Sequence, residues 1–310
     1  MKSNVFIAIE TGLTIAVITL LLFASSHGSV PSIPSTSPPM ETTNSSYNFT
    51  GYIKLTDACN FLKAQEADDL GLLAASNNKG NESSVIYLLH DNYLAVRALD
   101  LCGMHLLAER INKTLESYNV TSDSRYDVLF GKQYPHTIPL RWDTIVLNTP
   151  AADKLGFTVK TEVENESGVM NDWLNYTDLV VLKGLDSLWR GDIQYSLWLY
   201  QWLLHTWDGY GFNDKVHINS GDNSYEVYKV ALAIYFYRTL EAYGLNPDNT
   251  YLQSWLSIIS RAQSSSGGFY THYIIDNTTG TIRFKPGVNV ETTSIIIISL
   301  YYPPPVINNS

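Results

Sequence analysis

The chain has 310 residues, enough for one large domain or two modest ones, and 45% of them are hydrophobic while only 16% are charged. This composition is typical of a globular protein and excludes a wholly disordered one. The formal net charge is −10, and the sequence contains no cluster of Lys and Arg, which argues against nucleic acid as a partner. The abundant Tyr (21) and Trp (7) suit either a large aromatic core or a wet binding cleft.

The N-terminus predicts export. Residues 5–24 form a hydrophobic run interrupted only by Glu10, and a run of about 20 residues can span a bilayer as a helix. The alternative is a cleaved signal peptide, with small residues at 24–26 as the cleavage site. We expect residues 1–25 to be one or the other, with the length slightly favouring a retained anchor. Lys2 on the inner side places the rest of the chain outside, so a membrane is a partner only through this segment.

The next segment supports an extracellular location. Residues 26–50 are rich in Ser, Thr and Pro, which is typical of an extended linker. Sequons of the form N-x-S/T mark surface positions where glycan can be attached. They occur at Asn44, Asn48, Asn81, Asn112, Asn119, Asn165, Asn175, Asn277 and Asn308. These features predict a secreted or membrane-anchored glycoprotein whose ectodomain comprises residues 51–305.

The two cysteines, Cys59 and Cys102, fit an oxidising compartment as one disulfide. Both lie on helical patterns, so the bond would hold two helices together. Two buried thiols are the alternative, since free cysteines are commonly buried.

Hydrophobic periodicity predicts a helical ectodomain. The clearest helix covers 224–243, where Asn223 and Glu226 can cap the start and Gly244 and Pro247 end it. The predicted helices are 56–75, 85–101, 104–118, 174–189, 192–206, 224–243, 249–263 and 290–301. A small β insert is expected near 125–165 and a hairpin between Gly267 and Pro286.

A weak repeat links three of these helices. HDNYLAVRAL, YEVYKVALAI and VETTSIIIISL each place an acid at the first turn of an apolar helix. The segment Gln263–Phe269 followed by Val290–Thr293, with echoes at Tyr225-Glu226 and at 90–92, resembles the α/α-toroid superfamily of six-hairpin glycosidases and terpenoid cyclases. The whole chain also looks like a secreted protein of archaeal type. The resemblance implies a mainly α fold of stacked helical hairpins, here incomplete, because eight helices make four hairpins rather than six.

In such toroids the helix N-termini point at a central cavity, where paired carboxylates can flank a glycosidic bond. The candidates for these catalytic acids are Asp91, Asp208, Asp214, Glu226 and Glu291. Each has a structural alternative, because acids in a first helical turn or an Asp-Gly turn satisfy backbone N–H groups.

Aromatic side chains near these acids are candidates for stacking on sugar rings. They are Trp207, Tyr210, Phe212 and Phe269. His90, beside Asp91, is a further candidate for substrate contact or general base, although a lone His is more often simply hydrogen-bonded.

These residues predict an extracellular carbohydrate-active protein, a glycoside hydrolase or polysaccharide lyase with a polysaccharide or glycan as partner. The alternative is a non-catalytic surface glycoprotein that binds glycan or an envelope protein. No metal or other cofactor is expected, because the cysteine spacing does not suit a metal and the segment FNDKVHINSGDN matches no standard calcium loop.

Mass spectrometry of the native protein tests the predicted location. We expect glycan on several of the nine sequon asparagines, because an exported domain meets the glycosylation machinery. A protein recovered from the cytoplasm with every one of these asparagines unmodified would contradict the prediction.

Overall fold

The computed structural model describes residues 49–67, 69–76, 85–147, 157–276 and 278–305, all within the unit 48–310. The predicted signal peptide or anchor, most of the linker, and Asn44, Asn48, Asn81, Asn277 and Asn308 lie outside the described residues. Among the described residues, no helix is both long and apolar enough to cross a membrane.

Nine α-helices run through the described part of the chain. They are α1 Leu55–Ala64, α2 Leu89–Leu101, α3 His105–Ser117, α4 Thr177–Trp189, α5 Ile193–His205, α6 Lys215–Asn219, α7 Val227–Ala242, α8 Leu252–Arg261 and α9 Val290–Tyr301. Short 3-10 helices lie at Phe49–Gly51, Tyr126–Phe130 and Trp173–Asn175.

The strands of the described residues form four small sheets. They are β1 Glu66–Ala67, β2 Leu72–Leu73, β3 Val85–Leu88, β4 Leu140–Val146, β5 Phe157–Val169, β6 Tyr225–Glu226, β7 Phe269–Tyr270, β8 His272–Ile275, β9 Ile282–Phe284 and β10 Val288–Asn289. In the sheet β3-β5-β4, β3 and β5 are parallel while β4 and β5 are antiparallel. The other sheets are β1-β2, β7-β10 and β6-β8-β9.

The fold is therefore mixed α/β, with 49% helix and about 19% strand, and the prediction of a mainly α, toroid-like array was wrong. The reason lies in the shortness of the strands. β3, β6 and β10 have two to four residues and lead directly into α2, α7 and α9. Strands this short leave no two-residue alternation to detect, so the predicted helices 85–101 and 224–243 absorbed β3 and β6.

The predicted β regions are present in altered form. β4 lies within 125–165 and β5 begins there and extends to Val169, but YDVLF at Tyr126–Phe130 is a 3-10 helix, and β5 also pairs with β3 rather than forming a separate insert. The hairpin expected between Gly267 and Pro286 is confirmed, because β8 and β9 pair with Tyr273 opposite Phe284 and Ile275 opposite Ile282.

The core is built around four adjacent helices, which we call the inner row. α2 contacts α9, α9 contacts α7, and α7 contacts α4. α3, α1, α8 and α5 pack against the inner row from outside, on α2, α9, α7 and α4 respectively. Residues 230–237 of α7 and 295–298 of α9 are all buried, as expected for helices covered on every side.

Close packing inside the row requires a glycine. A Cβ placed on Gly184 of α4 would lie 2.2 Å from the Phe236 ring of α7. Any larger residue would push the two helices apart, because a packed core cannot absorb an overlap of this size.

The disulfide Cys59–Cys102 is confirmed, with a Cα–Cα distance of 5.8 Å. It joins α1 to the residue that follows α2, so an outer helix is held to the inner row. For a sequence separation of 43, the loss of loop entropy in the unfolded chain contributes about 4 kcal/mol to stability.

Candidate functional site

Acidic side chains gather where the inner row begins. Asp91, Asp178 and Glu291 lie in the first turns of α2, α4 and α9, and Glu226 immediately precedes α7. The charge of Glu291 raises the pKa of Asp91, and the charge of Asp178 raises the pKa of both Glu226 and Glu291. The N-termini of the inner row therefore point to the same region.

Glu162 of β5 joins this group, because its charge raises the pKa of both Asp91 and Glu291. We call Asp91, Glu162, Asp178, Glu226 and Glu291 the acidic site. Asp91 is the most deeply buried of these side chains, with 5% of the residue exposed, while the other four are partly exposed. The site is thus open to solvent on one side and closed by protein at Asp91.

Asp91 holds its proton more tightly than an ordinary carboxyl group. Burial raises its pKa well above the usual range, the charges of Glu291 and Glu162 raise it further, and only Arg125 opposes them. Within the described part of the chain, no side chain donates a hydrogen bond to its carboxylate. Asp91 is therefore the member of the site that favours the neutral acid.

Glu291 differs from Asp91 in one contact. Burial again raises its pKa, and Glu162 and Asp178 add to the effect. The hydroxyl of Tyr126, however, donates a hydrogen bond of 2.6 Å to Glu291 Oε1, and this bond and Arg125 stabilise the carboxylate. The Tyr126 hydrogen bond therefore favours the ionised form of Glu291, and Asp91 has no such bond among the described residues.

Arg125 supplies the positive charge on this side of the site. Its Nη2 lies 2.5 Å from Glu162 Oε2, and its guanidinium lies over the rings of Tyr126 and Trp142, at 4.3 and 4.8 Å from their centroids. Its buried Nε has no hydrogen-bond partner among the described residues. That N–H remains available to a ligand, since a buried donor without an acceptor is costly.

Lys229 supplies the charge on the other side. It is 2% exposed, and its Nζ lies 2.6 Å from Asp214 Oδ2 and 2.5 Å from Glu226 Oε2. Burial raises the pKa of Glu226 despite this contact. His272 Nε2 lies 3.8 Å from the other oxygen of Glu226.

Asp214 has a structural role beside the site. It caps α6 by accepting from the N–H groups of Val216 and His217, and it also accepts from Thr177 N–H. Burial alone would raise its pKa, but Lys229 and these bonds lower it overall. Asp214 therefore stays ionised and fixed in place.

His90 lies next to the acidic site, against β4 and β5. Its Nδ1 is hydrogen-bonded to Asp123, its Nε2 lies 2.8 Å from the Glu162 carbonyl, and its ring packs against Trp142. Both ring nitrogens are engaged, so His90 positions β5 and is not free to act as a general base.

The other sequence candidates lie elsewhere. Asp208 Oδ1 accepts from the N–H groups of Tyr210 and Gly211, and its Oδ2 accepts from the Tyr225 hydroxyl, so it holds a turn together. Trp207 and Phe212 are buried against Trp255.

The remaining two aromatic candidates, Phe269 and Tyr210, also lie outside the acidic site. Phe269 is fully buried in β7, where its N–H donates to Thr293 Oγ1. Tyr210 is exposed on the turn that Asp208 holds. The structure thus brings together Asp91, Glu226 and Glu291 from the predicted set.

Sequence reasoning missed several members of the site. Asp178 carried a detectable signal, because it is an acid in a first helical turn like Asp91 and Glu291. Arg125, Tyr126 and Glu162 carried none, since a loop, a 3-10 helix and a long strand bring them to the site. Among the described residues, no group of three or more His, Cys, Asp or Glu is arranged to hold a metal ion.

The raised pKa of Asp91 predicts a pH-dependent cost of folding. The folded state favours the protonated acid, so the stability that Asp91 contributes is complete below its unfolded pKa and is lost as pH rises through the folded pKa. Asp91→Asn cannot ionise and escapes this loss. We expect the melting temperature of the variant minus that of wild type to increase by roughly 2–4 °C between pH 4 and pH 8.

Asp57→Asn is the matched control, at an exposed acid in the first turn of α1. Its melting temperature relative to wild type should not depend on pH in this way. A difference for Asp91→Asn that stays constant or falls as pH rises would contradict the assignment.

Comparisons with known proteins assign no family to the chain. No family model matches it, and neither curated proteins nor solved structures show a match. The functional argument therefore depends on the side chains of the acidic site.

Proposed function

We propose that this protein is an extracellular glycoside hydrolase with the acidic site as its catalytic centre. The observation that carries the proposal is the pair Asp91 and Glu291. Asp91 is buried and Glu291 partly exposed, each has a raised pKa, and Tyr126 favours the ionised form of Glu291 only. Glycoside hydrolysis needs this asymmetry, one carboxyl group that donates a proton and one that is ionised.

The proposed roles follow from the environments. Asp91, as the neutral acid, protonates the glycosidic oxygen as the bond from that oxygen to the anomeric carbon breaks. Glu291, as the carboxylate, either attacks the anomeric carbon or takes a proton from the attacking water. Arg125 and Tyr126 hold the anionic side of the pair and are positioning residues in this scheme.

Charge at the site favours hydrolysis of a neutral polysaccharide over a lyase reaction. Five carboxyl groups face two cations, Arg125 and Lys229. A lyase substrate carries its own carboxylate on the sugar ring, and the excess of acids would repel it. The net charge of −10 also repels an acidic polymer, over a longer range.

A hollow of about 20 Å³ beside Arg125 is lined by Arg125, Trp142, Leu140, Leu179 and Lys183, among others, and has room for about one water molecule. Trp142 offers an apolar ring and Arg125 a charged donor, which is the mixture of surfaces that ligand sites use.

Two features support an extracellular setting. The Cys59–Cys102 disulfide is stable in an oxidising compartment. Asn112, Asn119 and Asn175 are exposed, and Asn165 is partly exposed with its amide donating to Asp143. These four sequons can carry glycan without disturbing the core.

A substrate screen tests the proposal. The purified protein is incubated with neutral polysaccharides (β-glucan, mannan, xylan and chitin) and with uronic polymers (alginate and pectate), and released reducing ends are measured. We expect turnover of a neutral polymer. Asp91→Asn and Glu291→Gln should each lower kcat by about 100-fold or more, because each removes a proton-transfer group or a nucleophile.

Asp208→Asn and Asp100→Asn are the controls, and both should retain wild-type kcat. Full activity in both site variants would place the chemistry elsewhere. Binding of a polysaccharide without turnover of any polymer would contradict the enzyme and support a non-catalytic glycan-binding glycoprotein.

A further inference from the structure

The helix α5 exposes three aromatic side chains on one face. Tyr195, Trp198 and Trp202 follow at spacings of three and four residues, which place them in line along a helix. Their exposed fractions are 36%, 45% and 37%. The ring centroids are 5.5 Å apart for Tyr195 and Trp198, whose planes are nearly parallel at 7°, and 5.8 Å apart for Trp198 and Trp202. We call these residues the aromatic strip.

The fold does not need the aromatic strip as core. The buried face of α5 is supplied by other residues, namely Ser196, Leu199, Tyr200, Leu203 and Leu204. Contiguous exposed aromatics are unusual on a soluble surface and mark sites of interaction.

Among the described residues, charged groups lie only near the ends of the strip, with Asp192 capping α5 at one end and Lys215 lining a pocket at the other. α5 contains no Asp, Glu, Lys or Arg. Gln194 and Gln201 flank Trp198 at helical spacing and are exposed, and neither amide has a hydrogen-bond partner within the described part of the chain. Aromatic faces bordered by free amides match the two surfaces of a neutral pyranose, its apolar ring face and its hydroxyl edge.

A pocket continues from the Trp202 end of the strip. Its volume is about 250 Å³, and Trp202, Thr177, Asn213, Asp214 and Lys215 are among the residues that line it. Thr177 is 2% exposed, yet its Oγ1 has no hydrogen-bond partner among the described residues. A buried hydroxyl without a partner on a pocket wall is a position at which a ligand hydroxyl can bind.

The pocket adjoins the acidic site. Asp214, in the pocket wall, binds Lys229, and Lys229 binds Glu226. Thr177 immediately precedes Asp178 of the acidic site. The aromatic strip therefore adjoins the pocket, and the pocket adjoins the acidic site.

We propose that the aromatic strip and the pocket at Thr177 bind a linear neutral polysaccharide and lead it to the acidic site. Sugar rings stack on Tyr195, Trp198 and Trp202, and the Thr177 hydroxyl bonds a ring hydroxyl in the pocket. Binding at the strip is independent of the proposed function, and only delivery to the acids rests on it.

Binding of the full-length protein to polysaccharide tests the inference. Affinity electrophoresis in gels containing β-glucan or galactomannan, and pull-down on insoluble chitin, provide the probes. We expect Trp198→Ala to weaken binding of at least one polymer by about tenfold, as for loss of a central aromatic contact. Trp198→Phe should retain most of the affinity.

Further variants sharpen the test. Leu106→Ala removes an exposed apolar side chain on another helix, α3, and should leave binding unchanged. Thr177 also completes the Asn175 sequon, so Thr177→Val is compared with Asn175→Gln, which removes the same sequon. Thr177→Val preserves side-chain volume and removes the unpartnered hydroxyl, and it should bind several-fold more weakly than Asn175→Gln. In a protein that hydrolyses polymer, Trp198→Ala should raise KM for the polymer while kcat on short oligosaccharides stays at the wild-type value.

Equal binding of all probes by wild type and Trp198→Ala would overturn the inference. Binding of phosphatidylcholine vesicles through Trp198, with no polysaccharide bound, would also overturn it and assign the strip to a membrane surface. Strip-dependent binding without hydrolysis would support the inference and count against the proposed function alone.

Discussion

The contact on which the described fold most depends is the buried ion pair of Lys229 with Asp214. A buried ammonium group is tolerated only with charged and hydrogen-bonding partners, and Lys229 has two carboxylates within 2.6 Å. Asp214 in turn binds the backbone at the start of α4 and α6. This one pair therefore fixes the N-termini of α4 and α7, and with them the positions of Asp178 and Glu226. Removal of Lys229 would leave two carboxylates without their cation at the same place.

On the opposite side of the acidic site, Asp91 and Glu291 have no such ion pair among the described residues. Arg125 pairs with Glu162 but lowers the pKa of Asp91 and Glu291 too little to offset their burial. The protein thus keeps two acids in a state that costs stability, a cost that is common where carboxyl groups do chemistry. The same contrast explains the roles assigned here. The charge of Asp214 is compensated by Lys229, and its role is structural. A charge on Asp91 would not be compensated in this way, so this carboxyl group favours the protonated form.

The sequence predicted some of this arrangement and could not predict the rest. Helical periodicity located α7, and the acid in the first turn of an apolar helix located Asp91, Glu226 and Glu291. The short strands β3, β6 and β10 were missed because they have no measurable alternation and merge with the helices that follow, and this error led to the mainly α prediction. The local sequence also misled at TWDGYGF, where Asp208 stabilises a turn, Trp207 and Phe212 fill the core, and Tyr210 is exposed on the turn. The aromatics that do reach solvent, on α5, resemble core residues in composition and could be separated from them only by the packing of α5 on α4.

The central claim is that Asp91 keeps its proton to a higher pH than an ordinary carboxyl group, while Glu291 is the carboxylate. Titration of the side-chain carboxyl carbons by ¹³C NMR, in wild type and Asp91→Asn, measures it directly. The account predicts one carboxyl group that titrates well above the ordinary Asp and Glu range of about 4 and is absent from the variant. Titration of every acidic-site carboxyl group within the ordinary range in wild type would contradict the account.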